Sequence, residues 1–180
     1  MKMRRAFFFD RDGVVNVSPG AGYVLRKEDF FFSDGVVDLL VFLKSKGFVL
    51  VVVTSQQGVG KGLMSMADLD EIHGFMQEEL GRHGVQFDAI YSCTCLGTDP
   101  GCTCRKPSSE MVLKAAAEHG LDLSRSWLIG DHDRDIQMAV NAGVPNTIRV
   151  LGDQHAPVVE ATKVVNSVAE VLPWLRERGL

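Results

Sequence analysis

The sequence has no apolar run near the roughly 20 residues a helix needs to cross a bilayer, so no membrane association is expected. It also has no excess of positive charge. Nineteen Lys and Arg stand against 23 Asp and Glu, a net charge of −4. Proteins that hold nucleic acid by its phosphates draw on a basic surface, so nucleic acid is not an expected partner. No internal repeat, low-complexity tract or linker divides the chain. At 180 residues and 46% hydrophobic content it can bury one full core, and a single domain over residues 1–180 is expected. The start, Met1 to Arg5, is basic, but only Ala6 to Phe9 follow before Asp10. That is too short for a secretory signal core. The expected location is therefore the cytoplasm, where thiols stay reduced unless a metal holds them.

The apolar segments that are present alternate between two periods, which predicts an α/β fold with a mainly parallel sheet. Strands are predicted over Phe7–Phe9, Phe48–Val53, Phe87–Tyr91, Trp127–Gly130 and Thr147–Leu151, the last of these as the final core strand, with a short addition at Phe30–Phe32. Helices are predicted from Gly35 to Lys46, from the Ser65/Asp68 capping box to Gly84, from Ser108 or Ser109 to Gly120, and from Asp133 to Gly143. A second Ser/Glu capping pattern, Ser167 with Glu170, precedes a terminal helix in which Pro173 would bend or delay the first turns. The loop from Val14 to Lys27 holds Pro19, Gly20 and Gly22. Neither it nor the stretch from Gly58 to Lys106 is long enough for a separate cap domain.

Chemistry concentrates where these strands end. Phe7-Phe8-Phe9 runs into Asp10-Arg11-Asp12-Gly13, and on extended backbone residues i and i+2 face the same side. Thr54 and Asp131 each follow another apolar strand, and parallel strands bring their carboxyl ends to one edge. Lys106 could join them from the loop after the Phe87 strand. Two or three carboxylates and a carbonyl can hold Mg²⁺. An aspartate can act as a nucleophile towards phosphorus, and a second acid can protonate the leaving oxygen and later activate water. Lys106 and the Thr54 hydroxyl can stabilise the charge on a phosphoryl group in transfer.

The only four cysteines, Cys93, Cys95, Cys102 and Cys104, lie within twelve residues. In a reducing compartment four such thiolates suit a closed tetrahedral Zn²⁺ site, which is structural because it leaves no position for water. A disulfide such as Cys93 to Cys102 is the alternative. A fixed loop would aim Arg105 and Lys106, which follow the last ligand directly.

Taken together, Asp10-Arg11-Asp12-Gly13, Thr54, Lys106 and Gly130-Asp131 with Asp135 resemble the haloacid dehalogenase (HAD) superfamily, and Asp12 places the likeness on its phosphatase branch. The resemblance implies a Rossmann-like three-layer α/β sandwich without a cap domain. It also implies Asp10 as nucleophile, Asp12 as general acid–base, and Mg²⁺ held by Asp10, the Asp12 carbonyl and Asp131, with Asp135 in support. Thr54 and Lys106 would hold the phosphoryl group. The cysteine loop with Cys104-Arg105-Lys106-Pro107 narrows the likeness to the heptose-1,7-bisphosphate and histidinol-phosphate phosphatases, over roughly Phe7 to Leu151. Gly22-Tyr23-Val24 and Leu50–Thr54 lean towards the heptose branch. By that likeness Arg105 contacts substrate and Ser55 and Gln56 line the phosphate pocket. Cys95 stands where the family usually has His, Ser55 where Asn is usual, and His132 where Lys or Arg is common; the last two bear on substrate identity, not on the reaction.

The expected partner is thus a small phosphate ester, with oligomeric state left open, a monomer included. Histidinol phosphate, a nucleic-acid 3′-phosphate and a non-catalytic phosphate-binding role are the competing readings. Gly58-Val59-Gly60-Lys61-Gly62 fails the nucleotide-binding loop pattern, because Ser55 and Gly62 occupy positions that need Gly and Ser or Thr. His73 and His119 fall on helical segments and are expected to be partly exposed, and Trp127 is expected in the core.

Overall fold

A computed structural model describes residues 3–152 and 157–180. Its central strand, β1 (Ala6–Phe9), is buried along its whole length. Successive strand side chains point to opposite faces. Phe7 and Phe9 therefore enter one apolar layer and Ala6 and Phe8 the other. Strands β2 (Val49–Ser55), β3 (Ala89–Cys93), β4 (Trp127–Gly130), β5 (Asn146–Val150) and β6 (Lys163–Val165) complete the sheet. Its order is β3-β2-β1-β4-β5-β6, and all five pairings are parallel.

Helices α1 (Val36–Ser45) and α3 (Met66–Gly81) cover the Phe7 face, together with α6 (Val171–Glu177), through Leu40, Leu43, Ile72, Met76 and Leu175. Helices α4 (Glu110–His119) and α5 (Asp133–Ala142) cover the Phe8 face through Val112, Ala115, Met138 and Ala139. The result is the three-layer α/β sandwich expected of the HAD fold. The chain from 10 to 35 adds only turns and a 3-10 segment at Lys27–Asp29, so no cap covers the sheet edge. Trp127 lies in the core, stacked on Phe7 with ring centroids 5.9 Å apart. Among the described residues no helix is long and apolar enough to cross a membrane.

Several local expectations need correction. Phe30–Phe32 forms no strand; Phe32 makes one isolated bridge to Asn16. Asn146–Val150 is not the last strand, because Lys163–Val165 adds an edge to it, and a three-residue segment with Lys and Val outward carries almost no periodic signal. The third strand begins at Ala89, two residues later than its apolar pattern, because Phe87 turns into the core and its backbone is held by Gln77. The α3 capping box forms as predicted, but the helix ends at Gly81, and Gly84 serves the following turn. Ser167 makes no side-chain cap. Pro173 falls in the first turn of α6, where its missing N–H is not needed, so it causes no bend. Gln57–Gly60 forms a single helical turn, α2, which its two glycines conceal in the sequence.

Candidate active site

Asp10 follows β1 directly, and its backbone N–H donates to the Ile129 carbonyl. The ends of β1, β2 and β4 thereby lie side by side. Asp10, Asp12, Ser55, Lys106, Asp131 and Arg134 line one cleft of about 130 Å³ over this edge. Lys106 arrives from the far end of the cysteine loop. Its ammonium, only 1% exposed, donates to Asp10 Oδ1 and Asp135 Oδ1, both at 2.7 Å. Asp135 is fully buried, and its second oxygen accepts from the His132 N–H at 3.0 Å. It thus caps α5 and anchors Lys106 at once. Asp131 Oδ1 accepts from His132 Nδ1 at 2.8 Å. Gly13, with φ 85°, lies so close that any side chain there would overlap the Asp131 carboxylate.

Electrostatics couple the charged groups at the cleft floor. Burial, with the Asp135 and Asp131 charges, pushes the Asp10 carboxyl well above its usual range, against the pull of Lys106. Asp135 is held below that range despite burial, because Lys106 lies against it. Lys106 itself is raised, since Asp10 and Asp135 outweigh its burial. Two carboxylates on one ammonium, with Asp131 beside them, leave an anionic, oxygen-only donor set at Asp10 and Asp131. That set suits a hard divalent cation such as Mg²⁺. Asp135 is committed to Lys106 and His132, although its ligand atoms lie within 4.8 Å of those of Asp131 and His132.

Asp12 is held differently. Its carboxylate accepts from Arg11 Nε and Nη2 at 3.2 and 3.0 Å, Asn16 Nδ2 at 2.9 Å and Gln56 Nε2 at 3.1 Å. Gln56 also donates to Thr54 Oγ1 at 2.9 Å. Both are buried, so the Gln56 amide is turned to Asp12 and Thr54 rather than to the cleft. Ser55 Oγ is buried with no partner, and Ser55 lines the cleft. A neighbouring space of about 180 Å³ shares Ser55, Tyr23 and Arg134 with it and adds Gln57 and Arg105.

The four cysteine sulfurs converge as a cluster. Cys93–Cys102, Cys95–Cys104 and Cys102–Cys104 stand 3.6, 3.8 and 3.9 Å apart. A tetrahedron with Zn–S bonds of about 2.3 Å has edges of about 3.8 Å, so these spacings are consistent with a zinc-binding loop. Cys93 and Cys104 are in contact as a disulfide pair, not Cys93 and Cys102.

Sequence reasoning missed four residues here. Arg11 is fully buried. His73 is buried rather than partly exposed, with its ring on Arg11. Asn16 holds Asp12, and Arg134 stands at the cleft mouth. For His73 the signal existed, since Leu69, His73, Met76 and Leu80 follow one helical stripe. His119 is half-buried and bonds the Tyr91 hydroxyl at 3.1 Å.

An acid-lined cleft at the carboxyl edge of a parallel sheet, with a buried ammonium at its floor, defines a hydrolase for anionic esters. Residues 103–175 match the HAD-hydrolase-like family model. The chain is 37% identical to a D-glycero-beta-D-manno-heptose-1,7-bisphosphate 7-phosphatase of Helicobacter pylori over 84% of this chain and 86% of that one. It is 37% identical to the enzyme of that name from Escherichia coli K12, covering 92% and 91%. It is 32% identical to the alpha-anomer 7-phosphatase of Campylobacter jejuni, covering 98% of each. The crystal structure of a D,D-heptose 1,7-bisphosphate phosphatase from B. bronchiseptica, complexed with magnesium and phosphate, superposes with a TM-score of 0.84 at 31% identity over 97% of this chain and 99% of that one. The chain belongs to the HAD hydrolase superfamily, in the family of the heptose-bisphosphate phosphatases.

The buried His73 gives a pH prediction. Burial, aided by the Arg11 charge, lowers its pKa from 6.5 to about 4. Between those values the unfolded chain takes a proton that the folded chain refuses. This stabilisation is complete above pH 6.5 and is lost as pH falls towards 4. Urea unfolding at pH 7.5 and pH 5 is expected to show a drop about 2 kcal/mol larger for wild type than for His73→Gln, at ~1.4 kcal/mol per pH unit. Equal drops would refute it.

Proposed function

We propose that the protein is a Mg²⁺-dependent phosphomonoesterase that removes one phosphate from a heptose 1,7-bisphosphate through phospho-Asp10. What carries this is the convergence of Asp10, Asp12, Lys106 and Asp131 on one cleft. Asp10 attacks phosphorus, and Asp12 gives the leaving alkoxide its proton and then takes one from the water that cleaves the acyl phosphate. Lys106 and Thr54 steady the phosphoryl group, with Thr54 itself fixed by Gln56. Asp10, the Asp12 carbonyl and Asp131 would hold Mg²⁺, with Asp135 supporting through Lys106. Bound there, the cation would offset the carboxylate charge and polarise phosphoryl oxygens.

The mouth supports a substrate with a second anionic group. Arg105 and Arg134 both line the outer space, with Ser55 and Gln57 beside them. Such a pair suits a second phosphate and disfavours histidinol phosphate, whose remote end carries an ammonium. We also infer that the cysteine loop holds structural Zn²⁺. A disulfide uses two sulfurs, whereas all four converge. The whole chain, 1–180, acts in this reading as one catalytic unit in a reducing compartment such as the cytoplasm.

Three outcomes are expected. Asp10→Asn abolishes release of phosphate from heptose 1,7-bisphosphate; turnover at the wild-type rate would refute the nucleophile. Arg105→Ala, at a residue that lines only the outer space, raises KM for the bisphosphate roughly tenfold, the loss of one charge-assisted contact of about 1.4 kcal/mol, and leaves KM for a monophosphate within about twofold. Purified protein contains about one zinc per chain, and chelation under reductant removes activity with the metal. Absence of zinc, with only two titratable thiols before reduction, would instead establish the disulfide.

A further inference from the structure

Most of the polar groups at the sheet edge serve the reaction or its metal directly. His73 is a buried titratable side chain that does not. It lies on α3, in the layer beneath the Asp-x-Asp turn, and is 9% exposed. Its Nε2 stands 3.2 Å from Arg11 Nη1. A guanidinium can only donate, so Nε2 must carry the lone pair and Nδ1 the proton. Burial and the adjacent Arg11 charge keep the ring neutral, which preserves that acceptor; the Asp12 charge is the opposing influence.

The other edge of the same guanidinium grips Asp12. Nε and Nη2 reach Oδ1 at 3.2 and 3.0 Å, and Nη2 reaches Oδ2 at 3.3 Å. Arg11 is fully buried, so bulk solvent does not reach Nη1 to replace His73. The guanidinium is planar and rigid, so fixing one edge fixes the other. Without the His73 acceptor, a buried N–H loses its partner, and the plane gains freedom to turn. The Asp12 carboxylate would turn with it.

We propose that His73 is a positioning residue for proton transfer: it pins Arg11, and Arg11 holds the Asp12 carboxyl in line with the leaving-group oxygen. This rests on the general acid–base role of Asp12 proposed above. The effect depends on the leaving group. An alkoxide leaves poorly and needs its proton delivered in the transition state, whereas p-nitrophenolate leaves with little help. A merely structural defect would slow both alike.

The test compares kcat/KM, which reports the steps up to leaving-group release and not the later hydrolysis of phospho-Asp10 that both esters share, for wild type, Asp12→Asn, His73→Leu and His73→Gln on heptose 1,7-bisphosphate and on p-nitrophenyl phosphate, with Mg²⁺ present. Gln places an acceptor near the position of Nε2; Leu provides none. His73→Leu is expected to lower kcat/KM for the bisphosphate about 10- to 100-fold, part of the 10²–10⁴ typical of general acid catalysis. It should change kcat/KM for p-nitrophenyl phosphate by less than about threefold. His73→Gln should recover most of the loss. If His73→Leu does not fold, His73→Asn, too short to reach Arg11, should show the same selective loss. An equal loss on both esters, no loss, or no recovery in His73→Gln overturns the proposal while leaving the phosphatase reading intact. Should wild type hydrolyse neither ester, or Asp12→Asn lose both equally, the reading of Asp12 fails and takes the proposal with it.

Discussion

The buried Lys106 ammonium is the constraint on which this site depends. Removing such a cation from water costs several kcal/mol even after relaxation. The cost is offset only because Asp10 and Asp135 each meet it at 2.7 Å. Those carboxylates come from opposite ends of the construction: Asp10 from the end of β1, Asp135 from the first turn of α5. Lys106 therefore joins the sheet edge, a helix start and the cysteine loop through one charge. Asp135 in turn accepts the His132 N–H, which fixes the turn carrying Asp131. Loss of the ammonium would leave two buried carboxylates facing each other. The geometry of the cleft floor and its charge balance are one and the same interaction.

The cysteine loop extends that coupling outwards. A side chain at Gly60 would overlap the Thr94 carbonyl, so α2 rests directly on the loop. A Cβ at Gly97 would lie 3.3 Å from Arg105 Cζ and 3.1 Å from Gln57 Nε2, so the loop also packs against both side chains at the cleft mouth. Of the three glycines that resemble a nucleotide-binding loop in the sequence, Gly60 is the close-approach position that sets α2 against the cysteine loop, whereas Gly62 takes a φ of 70° with open space around it. Whatever holds the four sulfurs together consequently positions Lys106 on the floor and Arg105 and Gln57 at the rim. A loop of small residues would otherwise supply little ordering of its own.

The legibility of this chain in its sequence follows the range of the interactions. Strands buried on both faces, such as Phe7–Phe9 and Val49–Ser55, announce themselves as apolar runs, and the parallel architecture follows from their alternation with helices. Asp10, Thr54 and Asp131 were visible because each ends such a run, and one topological rule gathers those ends. The edge strand Lys163–Val165 and the single turn Gln57–Gly60 were hidden, because long-range pairing and packing hold them and no local propensity marks them. The Arg11–His73 contact spans 62 positions. The stripe Leu69, His73, Met76, Leu80 did put His73 on the buried face, but its partner could not be known before the layers were assembled. The two arginines at the mouth are likewise 29 positions apart and share no local pattern.

The two acids of the Asp-x-Asp turn show how neighbouring identical side chains come to different environments. Asp10 sits among like charges and one ammonium, a setting that opposes its ionisation until positive charge is added. Asp12, two residues on, is surrounded by donors from Arg11, Asn16 and Gln56, and its side chain remains 23% exposed at the cleft. One environment would make ionisation of the Asp10 carboxyl depend on a bound cation. The other fixes orientation while keeping an edge open for exchange with substrate and water. This separation rests on the side chain of Arg11. It reaches the α3 layer, where His73 meets it with a ring nitrogen and the rest of that stripe, Leu69, Met76 and Leu80, is apolar.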